Sequence, residues 1–340
     1  MIPRDKNPEY LNSFLDYSIT ILNKSPNSVK EYNYDIANFL KFMMIHFKLT
    51  NETDYEQIDI TKFSEQDLKK ITLSDIHSYV SHLAIDNKSK ATTRARKIST
   101  IRIFFKYLSQ KTNILEVNPA QNLETPKLEK RMPKYLSLDD SKKLLNAADN
   151  QDNRNYKRDY AITTLFLNCG MRLSELVGIN MNDIDFNECK MTVIGKGNKE
   201  RTIYLNKSCM VAINDYISSR PPQSLIKRDS KNSEKALFLS EQKKRISNRT
   251  VQAIINKELQ QAGLDSKNLS VHKLRHTAAT LMYRYGNVDI RALQVLLGHD
   301  SISTTQIYTH VDDQQVRNAV EDNPLADLES EYEKQRKFEI

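Results

Sequence analysis

The chain is poor in cysteine, in long apolar runs and in repeated sequence. Its three cysteines, Cys169, Cys189 and Cys209, are an odd number in 340 residues. That excludes a scaffold stapled throughout by disulfides and fits reduced thiols in a cytosol. No apolar run approaches the ~18 residues needed to cross a bilayer, and the mean hydropathy is −0.62. No secretory leader opens the sequence, so a soluble, cytoplasmic protein without a membrane partner is expected. No internal repeat or low-complexity stretch stands out.

What the chain does have is length and positive charge. Its 340 residues suffice for two domains, each with its own core. The 51 Lys and Arg against 43 Asp and Glu leave +8, which favours a polyanionic partner. The surplus is uneven. Residues 1–130 carry +3, residues 311–340 carry −5, and residues 131–310 therefore carry +10. A phosphate backbone is expected to lie against that middle region.

Apolar spacing of three and four predicts helices over residues 8–22, over a segment opened by Ser25-Pro26, and over 72–86 with Ser74 as N-cap. Between them, Lys48 to Ile71 reads as a long polar connection with room for one short strand or helix. A further helix begins at Ala91. Residues 86–111 hold eight basic side chains against one acidic, and either a solvated face or a phosphate-binding face accounts for them. Lys90, Arg94 and Lys97 are the candidates for DNA contact here. Asn118-Pro119, Pro126 and Pro133 then mark a linker over 119–134. The expected division is a helical domain over 1–118, a second domain over 135–320 and an acidic tail over 321–340. The second domain should be mostly helical, with one β-hairpin formed by residues 191–194 and 201–205 around a basic tip.

Four constellations in that domain could carry chemistry, and each has an ordinary alternative. Arg172 followed by Glu175 could be an oriented arginine or a plain i,i+3 surface pair. The tip Gly195-Lys196-Gly197-Asn198-Lys199 lacks the third glycine of a dinucleotide fingerprint. It also lacks the Ser or Thr that follows the lysine of a P-loop. A lysine reaching nucleic acid or a soluble turn remains. His272, Arg275 and His276 share a helical face, but Lys273 stands where a zinc protease needs glutamate and no third ligand is evident. No metal is expected. Finally, Gly298-His299 ends one helix and Tyr308 follows on a predicted short helix over 302–310.

The order Arg172, Lys196, His272-x-x-Arg275, Leu-Gly-His299 and Tyr308 resembles the active-site set of the tyrosine site-specific recombinases, the phage integrase family. The resemblance covers roughly residues 134–320, more loosely the helical domain before it, and is nearest to the Xer-type recombinases. It implies a mainly α protein, with a SAM-like helical core-binding domain followed by a mixed α/β catalytic domain that is mostly helical. It implies Tyr308 as nucleophile, Arg172, Arg275 and His299 on the phosphate oxygens, His272 assisting the proton at Tyr308, and Lys196 as general acid. Glu175 would support Arg172, and Lys199 and Arg201 would join Lys90, Arg94 and Lys97 on DNA. His276 receives no role.

Because the bond energy is kept in a 3′-phosphotyrosyl link, no cofactor is implied. The expected partners are duplex DNA with paired half-sites and three further protomers, as a homo-tetramer or with a related recombinase, with a DNA translocase as a possible activator. With a helical domain expected from the start of the sequence, the arm-binding domain of phage lambda-type integrases is not expected. A type IB topoisomerase, or a DNA-binding protein that has lost catalysis, is the alternative.

Overall fold

The computed structural model describes residues 4–52, 54–128, 134–195, 197, 199–229, 231–265, 269–286, 288–298, 301, 302 and 305. Contacts divide the chain into two compact units, Met1–Lys130 and Arg131–Ile340.

The first unit is helical: α1 (Glu9–Thr20), α2 (Pro26–His46), α3 (Glu65–Lys70), α4 (Leu73–Ile85) and α5 (Ala91–Gln110). Ser25 caps α2 by accepting from the Ser28 amide, with Pro26 at the first helical position, where its missing N–H costs nothing. For α4 the cap is Thr72 rather than Ser74. Its hydroxyl accepts from the Asp75 amide while the Asp75 carboxylate accepts from the Thr72 amide, a reciprocal box that Ser74 could not form. The core is aromatic: Phe39 meets Tyr79 and Phe105 edge-on, with ring centres 5.2 and 5.8 Å apart.

The polar-looking stretch 48–71 contributes to that core through Ile58, Ile60, Phe63, Leu68 and Ile71, all buried. It forms a 3₁₀ turn (Ile60–Lys62) and α3, and the spaced apolar residues lie inward although their neighbours are polar. Ala120 and Leu123 are buried in the same core, and Arg102 donates to the Leu123 carbonyl and the Thr125 hydroxyl. The first core therefore continues past residue 118, where the sequence placed its end.

The second unit contains α6 (Leu138–Ala148), α7 (Tyr156–Cys169), α8 (Leu173–Gly178), β1 (Ile184–Asp185), β2 (Lys190–Ile194), β3 (Glu200–Tyr204), α9 (Lys207–Ser219), α10 (Asn248–Gln261), α11 (Val271–Tyr285) and α12 (Ile290–Leu297). The helix expected over 302–310 falls mostly outside the described residues. Helix α7 is the hub: Ala161, Ile162, Leu165 and Phe166 are fully buried, and it packs on α6, α9 and α11. The hairpin gains a short third strand, giving an antiparallel β1-β2-β3 sheet with Met191 opposite Ile203 and Val193 opposite Arg201. Met191, Val193 and Ile203 face inward, the two-residue alternation of a half-buried strand.

Two glycines bring the ends of two helices together. Gly170 ends α7 at φ 57° and Gly298 ends α12 at φ 63°, left-handed conformations that disfavour a side chain. A Cβ on Gly170 would lie 3.0 Å from Leu297 Cδ2, so the ends of α7 and α12 touch. Among the described residues no helix is long and apolar enough to cross a membrane.

Candidate active site

After the turn at Gly170, Arg172 takes an extended conformation at the N-cap of α8, which puts Glu175 at the third position of that helix. The Glu175 carboxylate is fully buried. It accepts from the Arg172 amide at 2.7 Å and from Arg172 Nη1 at 2.8 Å. From β3, Arg201 donates Nε and Nη2 to the same carboxylate at 3.3 and 2.9 Å. Burial pushes the Glu175 carboxyl up, but the hydrogen bonds from Arg201 and Arg172 outweigh it and hold the group below its ordinary value.

The last carbonyls of a helix have no partner within it and carry the negative end of its dipole. At the end of α12, three successive carbonyls are each taken by a different arginine. Arg201 Nη1 donates to Leu296, Arg275 Nη2 to Leu297 at 2.5 Å, and Arg172 Nη2 to Gly298 at 2.6 Å. Arg275, 4% exposed, also donates Nη1 to the Gly170 carbonyl at 2.7 Å. The two αL turns and the three arginines thus form one cluster.

Arg172 and Arg275 line a cavity of about 450 Å³, with Ser174, Asn248, Gln252 and His272 also on its wall. His272 is exposed on the first turn of α11, its ring stacked toward His276 with centres 6.3 Å apart. Burial lowers the His276 pKa, and the neighbouring His272 and Arg275 lower it further. His276 is therefore neutral near pH 7. The site can present guanidinium and imidazole donors to an anion without a metal. Among the described residues no group of three His, Cys, Asp or Glu side chains could hold one.

Lys196, His299 and Tyr308 lie outside the described residues. Their chain neighbours Gly195 and Gly298 do not. Gly195 leans on the Arg172–Glu175 pair, a Cβ there falling 3.4 Å from Glu175 Oε1 and 3.7 Å from Arg172 Nη1. Gly298 is held through its carbonyl by Arg172.

Two of the expected DNA contacts are turned inward in this structure. Lys97 is 8% exposed, and its ammonium bonds Asp35 at 2.9 Å inside the first core, over the Tyr34 ring. Arg201 is turned inward on Glu175 and Leu296. Lys90 and Lys199 are exposed. Arg94 is partly exposed, with one donor on the Ser89 carbonyl. The role of Arg201 escaped the sequence reading, although one signal was present: it stands two residues before Ile203, on the inward side of β3.

Residues 134–315 match the phage integrase family, and residues 59–112 match the N-terminal SAM-like domain of phage integrases. A tyrosine recombinase XerC from Caldanaerobacter subterraneus subsp. tengcongensis is 50% identical over 322 residues, 94% of this chain and 88% of that protein. The chain belongs to the phage integrase family. This tyrosine recombinase is an enzyme that cleaves and rejoins DNA at specific sites.

A XerC from Thermodesulfovibrio yellowstonii is 35% identical over 89% of the recombinase and 92% of its own length. A XerD from Proteus mirabilis is 38% identical over 71% and 74%. The fold is shared with XerH bound to a palindromic difH substrate in a post-cleavage complex, at a TM-score of 0.66 and 19% identity, over 93% of this chain and 96% of that one. It is also shared with the Tn1549 transposon integrase in complex with circular intermediate DNA, at 0.68 and 17%, over 92% and 99%. The relatives favour strand exchange over topoisomerase activity.

Proposed function

We propose that Tyr308 is the nucleophile of this recombinase and that the Arg172–Arg275 cavity holds the scissile phosphate. In-line attack by the Tyr308 oxygen on phosphorus breaks the bond to the 5′-oxygen, leaving a 3′-phosphotyrosyl link and a 5′-hydroxyl. Negative charge builds on the nonbridging oxygens, so donors fixed in advance are the main requirement. Arg172 and Arg275 supply them as planar forks, with a further hydrogen bond from His299. His272 assists removal of the tyrosine proton, and Lys196 returns a proton to the departing 5′-oxygen. Attack by a second strand's 5′-hydroxyl reverses the step, so no ATP is consumed.

The observation that carries this reading is the convergence of Arg172, Arg275 and His272 on one cavity, beside the chain neighbours of Lys196 and His299. Replacing Tyr308 by Phe should leave DNA binding intact and abolish the covalent adduct on a nicked suicide substrate; normal adduct formation by that variant would end the proposal. Lys196→Ala should slow cleavage, and a 5′-bridging phosphorothiolate, whose sulfur leaves without a proton, should restore much of the rate.

The XerC relatives support a Xer-like role, resolving dimeric chromosomes or plasmids in the cytoplasm, over integration or excision of a mobile element. The assembly is a tetramer on two duplex sites with paired half-sites, of one chain or with a related recombinase. The helical unit and the catalytic unit each bind DNA, and the acidic tail over 321–340 docks on a neighbouring protomer. Truncation after residue 314 should then weaken cooperative assembly on paired sites; unchanged synapsis would remove the docking role.

A further inference from the structure

The three arginines at the end of α12 are not equivalent. Arg172 keeps 26% of its side chain exposed and, with Arg275, borders the cavity. Arg201 is 12% exposed. Each of its three guanidinium nitrogens donates to protein, Nε and Nη2 to Glu175 and Nη1 to the Leu296 carbonyl.

We propose that Arg201 is a positioning residue for strand cleavage, sharing Glu175 with Arg172 and fastening the end of α12 so that Arg172 and the Gly298 turn meet the phosphate already in place. The inference rests on the assignment of Arg172 to the scissile phosphate. Three observations support it. A carboxylate has about four acceptor positions, and Glu175 receives four donors, two from each arginine. Without Arg201, two acceptor positions of a fully buried group are left empty, a costly condition. Glu175 would then draw Arg172 inward and cancel charge that the phosphate needs.

The second observation is steric. A Cβ on Gly298 would lie 2.8 Å from Arg201 Cδ and 3.2 Å from Nε. The stem of Arg201 therefore seats directly against the αL turn that leads to His299. The third is topological. Arg201 joins β3 to α8 and α12 through partners 26 and 95 residues away, and its strand belongs to the hairpin that carries Lys196. One side chain thus ties the hairpin, the Arg172 helix and the end of α12 together.

The test uses the full chain and a nicked duplex built on the inverted-repeat site that the wild-type protein footprints. Arg201→Met keeps the stem and removes the charge; Arg201→Lys keeps the charge and loses the fork. At saturating DNA, Arg201→Met should slow single-turnover cleavage about 10- to 100-fold, by analogy with residues that orient metal ligands. Arg201→Lys should recover part of that loss. The Kd and its salt slope should stay at wild-type values, and amide exchange over 290–298 should rise.

Added to Arg172→Ala, the Met substitution should cost clearly less than it does alone, since the share that runs through Glu175 and Arg172 is already lost. A full additional loss would mark a merely structural residue and overturn the proposal. A salt slope lowered by about one, with unchanged cleavage at saturation, would make Arg201 a phosphate contact and also overturn it. The underlying assignment fails separately. Cleavage at full rate by Arg201→Met beside a loss in Arg172→Ala defeats the positioning role alone, whereas cleavage at full rate by Arg172→Ala defeats the assignment itself.

Discussion

Asp35 in the first unit and Glu175 in the second are both fully buried carboxylates that bind two cationic side chains, and they do so to different ends. Asp35, on α2, accepts from Arg96 at 2.5 and 2.9 Å, from Lys97 at 2.9 Å and from the Thr100 hydroxyl at 3.0 Å, all on α5. Its cations are spent on joining two helices, and Lys97 is taken out of solvent. Glu175 ties α8 to β3 and leaves one of its arginines, Arg172, bordering a cavity. A count of Lys and Arg therefore overstates the cationic surface of the first unit. In the second unit the buried anion holds one cation, Arg172, beside an open cavity and the other, Arg201, inside the protein.

Losing either carboxylate strands buried cations, so Asp35→Ala and Glu175→Ala should each cost about 3–5 kcal/mol in urea unfolding. The two should part in catalysis. At a temperature where both are folded and DNA is saturating, Asp35→Ala should cleave within a few-fold of wild type, while Glu175→Ala should lose about 10²-fold. Equal losses would erase the distinction between scaffold and site.

Arg275→Lys comes next. A lysine cannot serve the Gly170 and Leu297 carbonyls and a phosphate together, so cleavage should fall about 10²-fold with modest change in affinity. A variant within twofold of wild type would remove Arg275 from the phosphate site.

A third buried carboxyl, Glu258 on α10, sharpens the contrast because no cation bonds it among the described residues. It accepts from the Thr163 hydroxyl at 2.6 Å, and its other oxygen has no hydrogen-bond partner among the described residues. Burial pushes its pKa up to about 8. Between the unfolded value of about 4.3 and 8, the folded state keeps a proton that the unfolded state has released, so stability falls as pH rises through that window. The depressed Glu175 acts oppositely, its contribution being present above the unfolded value and lost as pH falls through the folded one. Glu258→Gln should remove the neutral-range slope and stabilise the fold by on the order of 3 kcal/mol near pH 7. Urea midpoints at pH 5 and 8 would show it, and an unaltered slope would refute it.

The smallest effect concerns DNA affinity. Lys90→Ala should lower the salt slope of binding by about one, and Lys97→Ala should leave it unchanged. The reverse pattern would show that the Asp35 network opens on DNA.

The sequence made the elements legible wherever spacing and local chemistry agree. Helices α1, α2, α5 and α11 follow their apolar stripes, and the hairpin follows its β-prone runs. The pairing of Arg172 with Glu175 was readable because its partners are three residues apart. Arg201 was not, because its partners lie 26 and 95 residues away and no local pattern distinguishes an arginine facing DNA from one facing a buried carboxylate. The partner of Lys97 was hidden for the same reason, its anion lying 62 residues upstream. The stretch 48–71 holds the short helix for which the sequence left room, while its share in the core was hidden because its apolar residues are widely spaced among polar ones.

The most direct measurement is the chemical identity of the covalent link. Complexes trapped on the nicked substrate would be denatured, digested with protease and nuclease, and the nucleotide-bearing peptide fragmented. The expected product is a single peptide modified on Tyr308, joined through a 3′-phosphate, with the 5′-hydroxyl free on the released strand. A nucleotide on any other of the sixteen tyrosines, or a link through a 5′-phosphate, would contradict the site built around Arg172 and Arg275.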